Sequence, residues 1–412
     1  MAMHADVFGR VQGRIPDIDR LTGGILVAAL AVEPILGAPG ALLFLMSGMM
    51  LLVLRPAEAV LDLVDYRLVL ILPAFCLASV IWSEVPAQSL RAAIQLTATV
   101  VFAIVLARRL PPGRFLLVIA SVQTAVVLMS VTTGNYRTDT GALTGYFASK
   151  NAMGATAALL TVIAAGLVLR AGASSMARTG ALFAACLGVA ALVLAQSIGA
   201  LFAALIGLSA YPLLWALRRL NLPLQVAVTA LAVMAAGTLC ILVIANIDTV
   251  AAMILAATGK DITLTGRTDL WRAALDEIAR RPLLGTGFQA FWQPGNPVAE
   301  RLWAEFGIAS RTGFHFHNLY LSNAVELGVV GVSIQVALLV ATALGALRLA
   351  LVAADYRASI LFACTAMILS MTPLEVPVYF QFNFATILMI ATLVYARDGL
   401  SARGASGMGA RR

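Results

Sequence analysis

Four side chains in this sequence could together break a bond to a diphosphate, Arg91, Lys150, Arg267 and His317, and Glu326 is grouped with them. Arginine and lysine would neutralise the charge that develops on phosphate as the bond breaks. A neutral histidine could accept the proton of an attacking hydroxyl. The expected chemistry is therefore transfer of a phosphate-linked group to an alcohol.

The densest of the stretches holding them runs from Arg311 to Gly331, with His315, His317, Asn318, Ser322 and Glu326 ahead of and within an apolar run. Asn318, Ser322 and Glu326 are spaced i, i+4, i+8 and share one face of a helix. A glutamate inside a membrane helix is costly enough to mark a functional site. It lies nine residues past His317, roughly 13 Å along a helix at about 1.5 Å per residue, and so is assigned to packing or a polar network. His315 is expected in the loop before the helix, with a minor role.

Composition sets the environment of these groups. With 61% hydrophobic and 12% charged residues and a mean hydropathy of +0.94, the chain reads as an all-α integral membrane protein. The net charge of +8 is scattered through short turns and does not gather on one face, which argues against a nucleic-acid partner. Cys76, Cys186, Cys240 and Cys364 lie inside apolar runs and suggest neither a disulfide framework nor a metal site. Arg10, Arg14 and Arg20 precede the first apolar run without a small-residue cleavage site after it, so a retained first span is expected.

A membrane-spanning helix needs roughly 20 apolar residues. Segments near that length fall at 21–37, 39–54, 67–82, 91–107, 114–132, 151–170, 179–195, 199–217, 223–246, 318–347, 357–373 and 378–396, predicting about twelve spans. Cytoplasmic loops should hold the excess of Lys and Arg. With the N-terminus inside, eighteen of the 28 basic residues are cytoplasmic, including the pairs Arg108–Arg109 and Arg218–Arg219. The expected organisation is nine spans over 1–246, a long outer loop over 247–317, and three spans with a cytoplasmic tail over 318–412.

Three outer segments then bring the reactive groups to one side. Arg91 follows the turn Trp82–Leu90 at the lip of the fourth span, and Lys150 follows Asn135–Ser149 at the start of the sixth. The third, 247–317, is far longer than an ordinary connection, which points to function. Between Thr268 and Arg281, Leu270, Trp271, Ala274, Leu275 and Ile278 recur at helical spacing opposite Asp269, Arg272, Asp276, Glu277 and Arg280. That pattern predicts an amphipathic helix on the outer membrane surface, with Arg267 at its entrance and Pro282 at its end. Ser197 lacks the setting of a nucleophile and reads as a small packing residue.

These residues carry a family resemblance. Thr265-Gly-Arg267 with Trp271, Pro282-Leu-Leu-Gly-Thr-Gly-Phe288, and His317-Asn318 with Leu321, Glu326, Gly328 and Gly331 resemble the long-loop signature of the O-antigen ligase and polysaccharide polymerase superfamily. Trp82 to Arg91 and Lys150-Asn151 extend the likeness over residues 80–335. The resemblance implies a cofactor-free, metal-independent, inverting glycosyltransferase of the bacterial inner membrane with an outward, periplasmic site. Its donor would be an undecaprenyl-diphosphate-linked glycan, and its acceptor a second lipid-linked unit or lipid A core. Membrane lipids and polysaccharide-assembly proteins would be its other partners. Arg267, Lys150 and Arg91 would hold the diphosphate, His317 would activate the acceptor, and Asn318, Glu326 and Trp271 would support them.

Ligase members carry an arginine after the serine that opens the eighth span, where this chain has Ile198 after Ser197. Gly145-Tyr-Phe-Ala-Ser-Lys150-Asn151 is nearer the exopolysaccharide polymerases, with Lys150 replacing the missing cation. A twelve-span transporter or flippase is the main different class. It would be expected to show internal repeats and charge deep in several spans, whereas charge here collects at one surface. A scaffold would leave Glu326 a cost without a use.

Overall fold

The computed structural model describes residues 17–245 and 264–409. Arg10, Arg14, Arg411, Arg412 and the opening of the long loop, 247–263 with Lys260, lie outside the described residues. The described chain is helical, as its hydropathy requires. Its first half holds α1 (Asp17–Ala31), α2 (Glu33–Leu36), α3 (Ala38–Leu54), α4 (Pro56–Asp65), α5 (Ile71–Ala78), α6 (Pro86–Arg109), α7 (Pro112–Thr133), α8 (Lys150–Val168), α9 (Ser175–Ala195), α10 (Ile198–Leu217) and α11 (Leu222–Ala245). The second half holds α12 (Leu264–Arg280), α13 (Pro297–Glu305), α14 (Leu319–Ala353), α15 (Tyr356–Met371) and α16 (Phe384–Gly409).

Every segment expected to span overlaps one of these helices, but their lengths differ. Among the described residues seven helices are long and apolar enough to cross a membrane, or eight if α3 and α4, bent by 100° about Arg55, form one broken span. Pro56 opens α4, where its fixed φ is tolerated and the preceding residue is pushed out of helical geometry. At 15 and 16 residues, α1 and α15 fall short of the roughly 20 needed for a full crossing.

The bundle closes around α6, α8 and α16, whose buried faces carry Leu96, Val100 and Ile104, Leu160 and Ile163, and Ile387 and Ile390. At the C-terminal end of α6, Arg108 donates to Asp62 at 2.9 Å and to Asp398 at 2.7 Å, and Tyr66 donates to Asp398 at 2.6 Å. This network ties α4 and α16 to α6 at the end opposite the segments that build the site.

Helix α14 explains how the other end of the bundle is shaped. Its 35 residues would reach about 52 Å if straight, far beyond a bilayer of about 30 Å. It breaks at Gly328, whose φ of 64° and ψ of −171° belong to a region open essentially to glycine alone. A break inside a helix strands backbone groups that must be paired again. The strap Pro282–Gln289 does this: Thr286 N donates to Val325 O at 2.9 Å, Gly287 N to Glu326 O at 2.8 Å, and Val329 N to Pro282 O at 2.8 Å. Gly285 lies so close to the Glu326 backbone, and Gly328 to Leu283, that a Cβ at either place would collide with main chain. The Pro-Leu-Leu-Gly-Thr-Gly motif is thus a backbone brace for the kinked helix.

The amphipathic helix forms as α12, with a difference in what it covers. Leu270, Ala273 and Ala274 are buried against Phe291, Leu302, Trp303, Phe316 and Val325, so its apolar face packs on protein where the membrane surface was expected. Leu275, expected on that face, is 57% exposed, because Ala273 takes the inner position instead. Five aromatic rings, of Phe291, Trp292, Trp303, Phe314 and Phe316, pack with centroids 4.9 to 5.9 Å apart and give the long loop a core of its own.

Candidate active site

Three helix starts converge at one end of the bundle, opposite the Arg108 network. Ser149 caps α8, Ser197 caps α10 and Asn318 caps α14, each accepting a hydrogen bond from main-chain N–H groups of the first turn. Helix N-termini carry partial positive charge and favour anions. Asn318 fills its other valence toward the connector after α15, donating from Nδ2 to Pro373 O at 3.1 Å. Leu319 N donates to Thr372 O at 2.9 Å, and the Tyr320 hydroxyl lies 2.9 Å from Thr372 Oγ1. This stitching brings the connector, with Glu375, beneath the histidines.

Glu375 is the centre of the cluster. Its Oε1 accepts from Arg267 Nη2 at 3.1 Å and from Asn151 Nδ2 at 2.8 Å, while its Oε2 lies 3.1 Å from His317 Nδ1 and 3.7 Å from His315 Nε2. Asn151 is held from behind by Ser197, whose hydroxyl donates to Oδ1 at 3.1 Å. The two imidazole ring centroids lie 4.3 Å apart with their planes tilted by 56°, and the His317 main-chain N–H donates to His315 Nδ1 at 3.0 Å. His317 adopts φ +49°, a left-handed conformation uncommon outside glycine, and that bond to His315 is one of the contacts holding it.

The electrostatics follow from this crowding. Burial pushes the Glu375 carboxyl up, but the His317 hydrogen bond, the two imidazoles and Arg267 together outweigh it and hold the group below the usual carboxylate range. Burial lowers Arg267, with Glu375 opposing, in a group that stays charged throughout. For His315, burial together with His317 and Arg267 outweighs Glu375 and brings the pKa to about 4, so the ring is neutral near pH 7.

The expected site residues divide accordingly. Arg267 and His317, fifty positions apart, meet on one carboxylate, and Lys150 opens α8 next to Asn151. Trp271 donates from Nε1 to Phe316 O at 2.9 Å, bracing the segment that carries both histidines. Glu326 lies apart from the cluster and is buried; its Oε2 accepts the Gln289 main-chain N–H at 3.0 Å. Arg91 is exposed on α6 and, among the described residues, makes no hydrogen bond or ion pair to the cluster. His315 lies in the loop before α14, as expected, and from there its Nε2 comes within 3.7 Å of Glu375 Oε2. Asn151 and Glu375 were given no role from the sequence and Ser197 only one in packing; the one signal for Glu375 was a lone acid between two prolines and two apolar runs.

His315, His317 and Glu375 bring three donor atoms within 4.8 Å of one another, close enough for a metal ion. The donor chemistry resists one. His315 Nδ1 already accepts an N–H, so the neutral ring carries its proton on Nε2, the atom that faces the carboxylate. A metal bound there would require the other tautomer and the loss of that hydrogen bond.

Comparison with known proteins converges on the same segments. The family model described as O-antigen ligase matches residues 181–336, which include Ser197, Arg267 and both histidines but not Lys150, Asn151 or Glu375. The exopolysaccharide production protein ExoQ of Rhizobium meliloti (strain 1021) is 32% identical over 355 residues, covering 80% of this chain and 79% of the relative. On that likeness, and on the apolar helices of the bundle, the chain is a multi-pass membrane protein that belongs to the O-antigen ligase family.

Proposed function

We propose that this protein polymerises exopolysaccharide or O-antigen repeat units, transferring a glycan from undecaprenyl diphosphate to an acceptor hydroxyl at the periplasmic face of the inner membrane. The observation that carries the reading is the meeting of Arg267 and His317 on Glu375 amid three helix N-termini: a fixed cation, an acid–base group and partial positive charge in one place. In the reaction, the acceptor oxygen forms the new bond to the sugar C1 as its proton passes to His317. The bond from C1 to the diphosphate oxygen breaks, and its electron pair leaves with the diphosphate. Arg267 and Lys150 would neutralise that charge. Single displacement inverts C1, and the step as drawn asks for no metal.

Both termini are assigned to the cytoplasm and the site to the outside by the distribution of arginines. Arg91 stands apart in the structure, so any contact of it with the donor is assigned to the lipid or the distal glycan. Polymerisation is favoured over ligation by Ile198 after Ser197, by Lys150-Asn151, and by a relative named for exopolysaccharide production. The description of the matching family keeps a second reading open, attachment of finished polymer to lipid A core. Deleting the gene and profiling glycans separates them. Accumulation of single lipid-linked repeat units is the polymerase outcome, whereas full-length polymer missing from lipid A core points to ligation and overturns the first reading.

A further inference from the structure

We propose that Glu375 is a positioning residue that sets the tautomer of His317, so that Nε2 is the atom that takes the acceptor's proton; this rests on reading His317 as the base. The argument starts from the far side of the network. The Ser197 hydroxyl donates to Asn151 Oδ1, which turns the Asn151 Nδ2 toward Glu375. Arg267 has N–H groups only. Glu375 Oε1 therefore faces two donors and acts as an acceptor for both. Its other oxygen faces His317 Nδ1 at 3.1 Å. An ionised carboxylate can only accept, so the proton of the neutral His317 ring sits on Nδ1 and the lone pair on Nε2. Among the described residues Nε2 makes no hydrogen bond, and the side chain keeps 25% of its surface exposed.

His315 is fixed by the same logic from the other direction. Its Nδ1 accepts the His317 main-chain N–H, so its proton is on Nε2, pointing to the same carboxylate oxygen. Among the described residues, the titratable and charged groups beside Glu375 are then Arg267 from α12 and His315 and His317 from the loop before α14. When His317 takes the acceptor's proton on Nε2, the new imidazolium lies against a carboxylate already in place. The proton stays on His317 and does not pass to Glu375, which is the division of labour in acid–histidine pairs of hydrolases. None of this is visible in the family match, which ends before Glu375.

The arrangement makes Glu375→Gln informative. Arg267 and Asn151 both donate toward the Oε1 position, so the amide must keep its carbonyl there and turn its NH2 toward His317 Nδ1. That N–H forces the His317 proton onto Nε2 and buries the lone pair on the wrong side. In hydrolases the equivalent acid-to-amide change costs about 10⁴ in rate, and we expect kcat to fall about 10³–10⁴-fold, with KM for the lipid-linked donor within about twofold. Moving the carboxylate to the neighbouring side chain should restore the tautomer. In the double variant Asn151→Asp with Glu375→Gln, Arg267 and the amide NH2 can both donate to the carboxylate introduced at position 151, which leaves the amide carbonyl to face His317, and at least about tenfold of the lost rate should return.

The test measures kcat and KM of the full-length protein in liposomes with lipid-linked glycan. It also records the ¹⁵N resonances of the histidine ring nitrogens, which separate Nδ1–H from Nε2–H. The expected result is Nδ1–H for His317 in the native protein, Nε2–H in Glu375→Gln, and recovery of both rate and tautomer in the double variant. Transfer by Glu375→Gln at a near-native rate, or an Nε2–H His317 in the native protein, overturns the proposal. If Glu375→Gln does not fold, a folded double variant with His317 as Nε2–H overturns it equally. His317→Ala separates the two layers: if it still transfers, the base assignment itself is wrong, whereas an inert His317→Ala beside an active Glu375→Gln removes only the role of Glu375.

Discussion

Arg267 Nη2 lies 3.1 Å from Glu375 Oε1, a largely buried ion pair that joins the first turn of α12 to the connector before α16 across 108 residues of chain. One nitrogen of the guanidinium is engaged there, and the remaining N–H groups of the fork are the ones proposed to meet the diphosphate. Removing a group that stabilises developing charge costs about 10²–10³ in rate. Arg267→Ala should therefore abolish detectable polymer while the protein is still made and inserted. Arg267→Lys should recover only part of the activity, because a point charge cannot serve Glu375 and phosphate at once. Near-native polymer from Arg267→Ala, at native protein level, would remove Arg267 from the site.

The two histidines should separate in their effects. His317→Ala is expected to lose transfer while still binding lipid diphosphate. His315→Ala should cost between about twofold and tenfold, the worth of one hydrogen bond of roughly 0.5–1.5 kcal/mol, since His315 Nδ1 holds the His317 main chain in its left-handed turn. His315→Asn retains an acceptor near the Nδ1 position and should recover most of that loss. Rates in reconstituted membranes decide it: an inert His315→Ala beside an active His317→Ala would reverse the assignment.

The contrast between what the sequence conveyed and what it did not has a physical origin. Helices and their apolar faces are local, and each expected span overlaps a helix because burying backbone in lipid leaves few other choices. Arg267, Lys150 and His317 were legible as reactive types beside recognisable neighbours. Glu375 was not, because nothing in its spacing relates it to residues 58, 108 or 224 positions away. Ser197 read as packing for the same reason: its hydroxyl gains meaning only when α8 lies beside α10. The kink at Gly328 was hidden in a periodic pattern that continues on both sides of it, and the strap that braces it comes from another part of the chain.

That brace gives a stability prediction. At Gly328 a side chain meets both an unfavourable backbone conformation, worth about 1–3 kcal/mol, and the Leu283 main chain, which cannot move without releasing Val329 and Val330. Gly328→Ala should lower the thermal unfolding temperature clearly and loosen the strap. Gly180, with open space around its Cβ position, is the control: Gly180→Ala in α9 should be neutral or slightly stabilising. Equal melting of the two variants would mean the kink is not fixed by residue 328.

Acid should destabilise the outer end first. His315 has its pKa lowered from 6.5 to about 4, so the unfolded chain binds more protons there between those values, and the stability present above pH 6.5 declines as the pH falls. Glu375 is held below 4.5, so its contribution is present above that value and is lost as the pH falls through the folded one. Melting followed from about pH 7.5 to about pH 4.5, a range that brackets the ordinary histidine value, should show a steady decline, and His315→Asn should flatten the part above about pH 5. A decline of the same size in His315→Asn would assign that loss to other groups.

The orientation of the whole assembly rests on the arginines, and it is open to a direct chemical test. With Arg170 and Arg178 flanking the α8–α9 turn, that turn should be cytoplasmic, and the loop carrying Ser310 should be outside. Ser175 and Ser310 are both exposed and suited to replacement by cysteine in a background from which Cys76, Cys186, Cys240 and Cys364 have been removed. A membrane-impermeant maleimide applied to intact cells, with the outer membrane made permeable, should label Ser310→Cys at once and Ser175→Cys only after the inner membrane is opened. The reverse pattern would put His317 and Arg267 in the cytoplasm. There nucleotide-activated sugars could serve as donors, and the case for a lipid-linked diphosphate would fall with the topology.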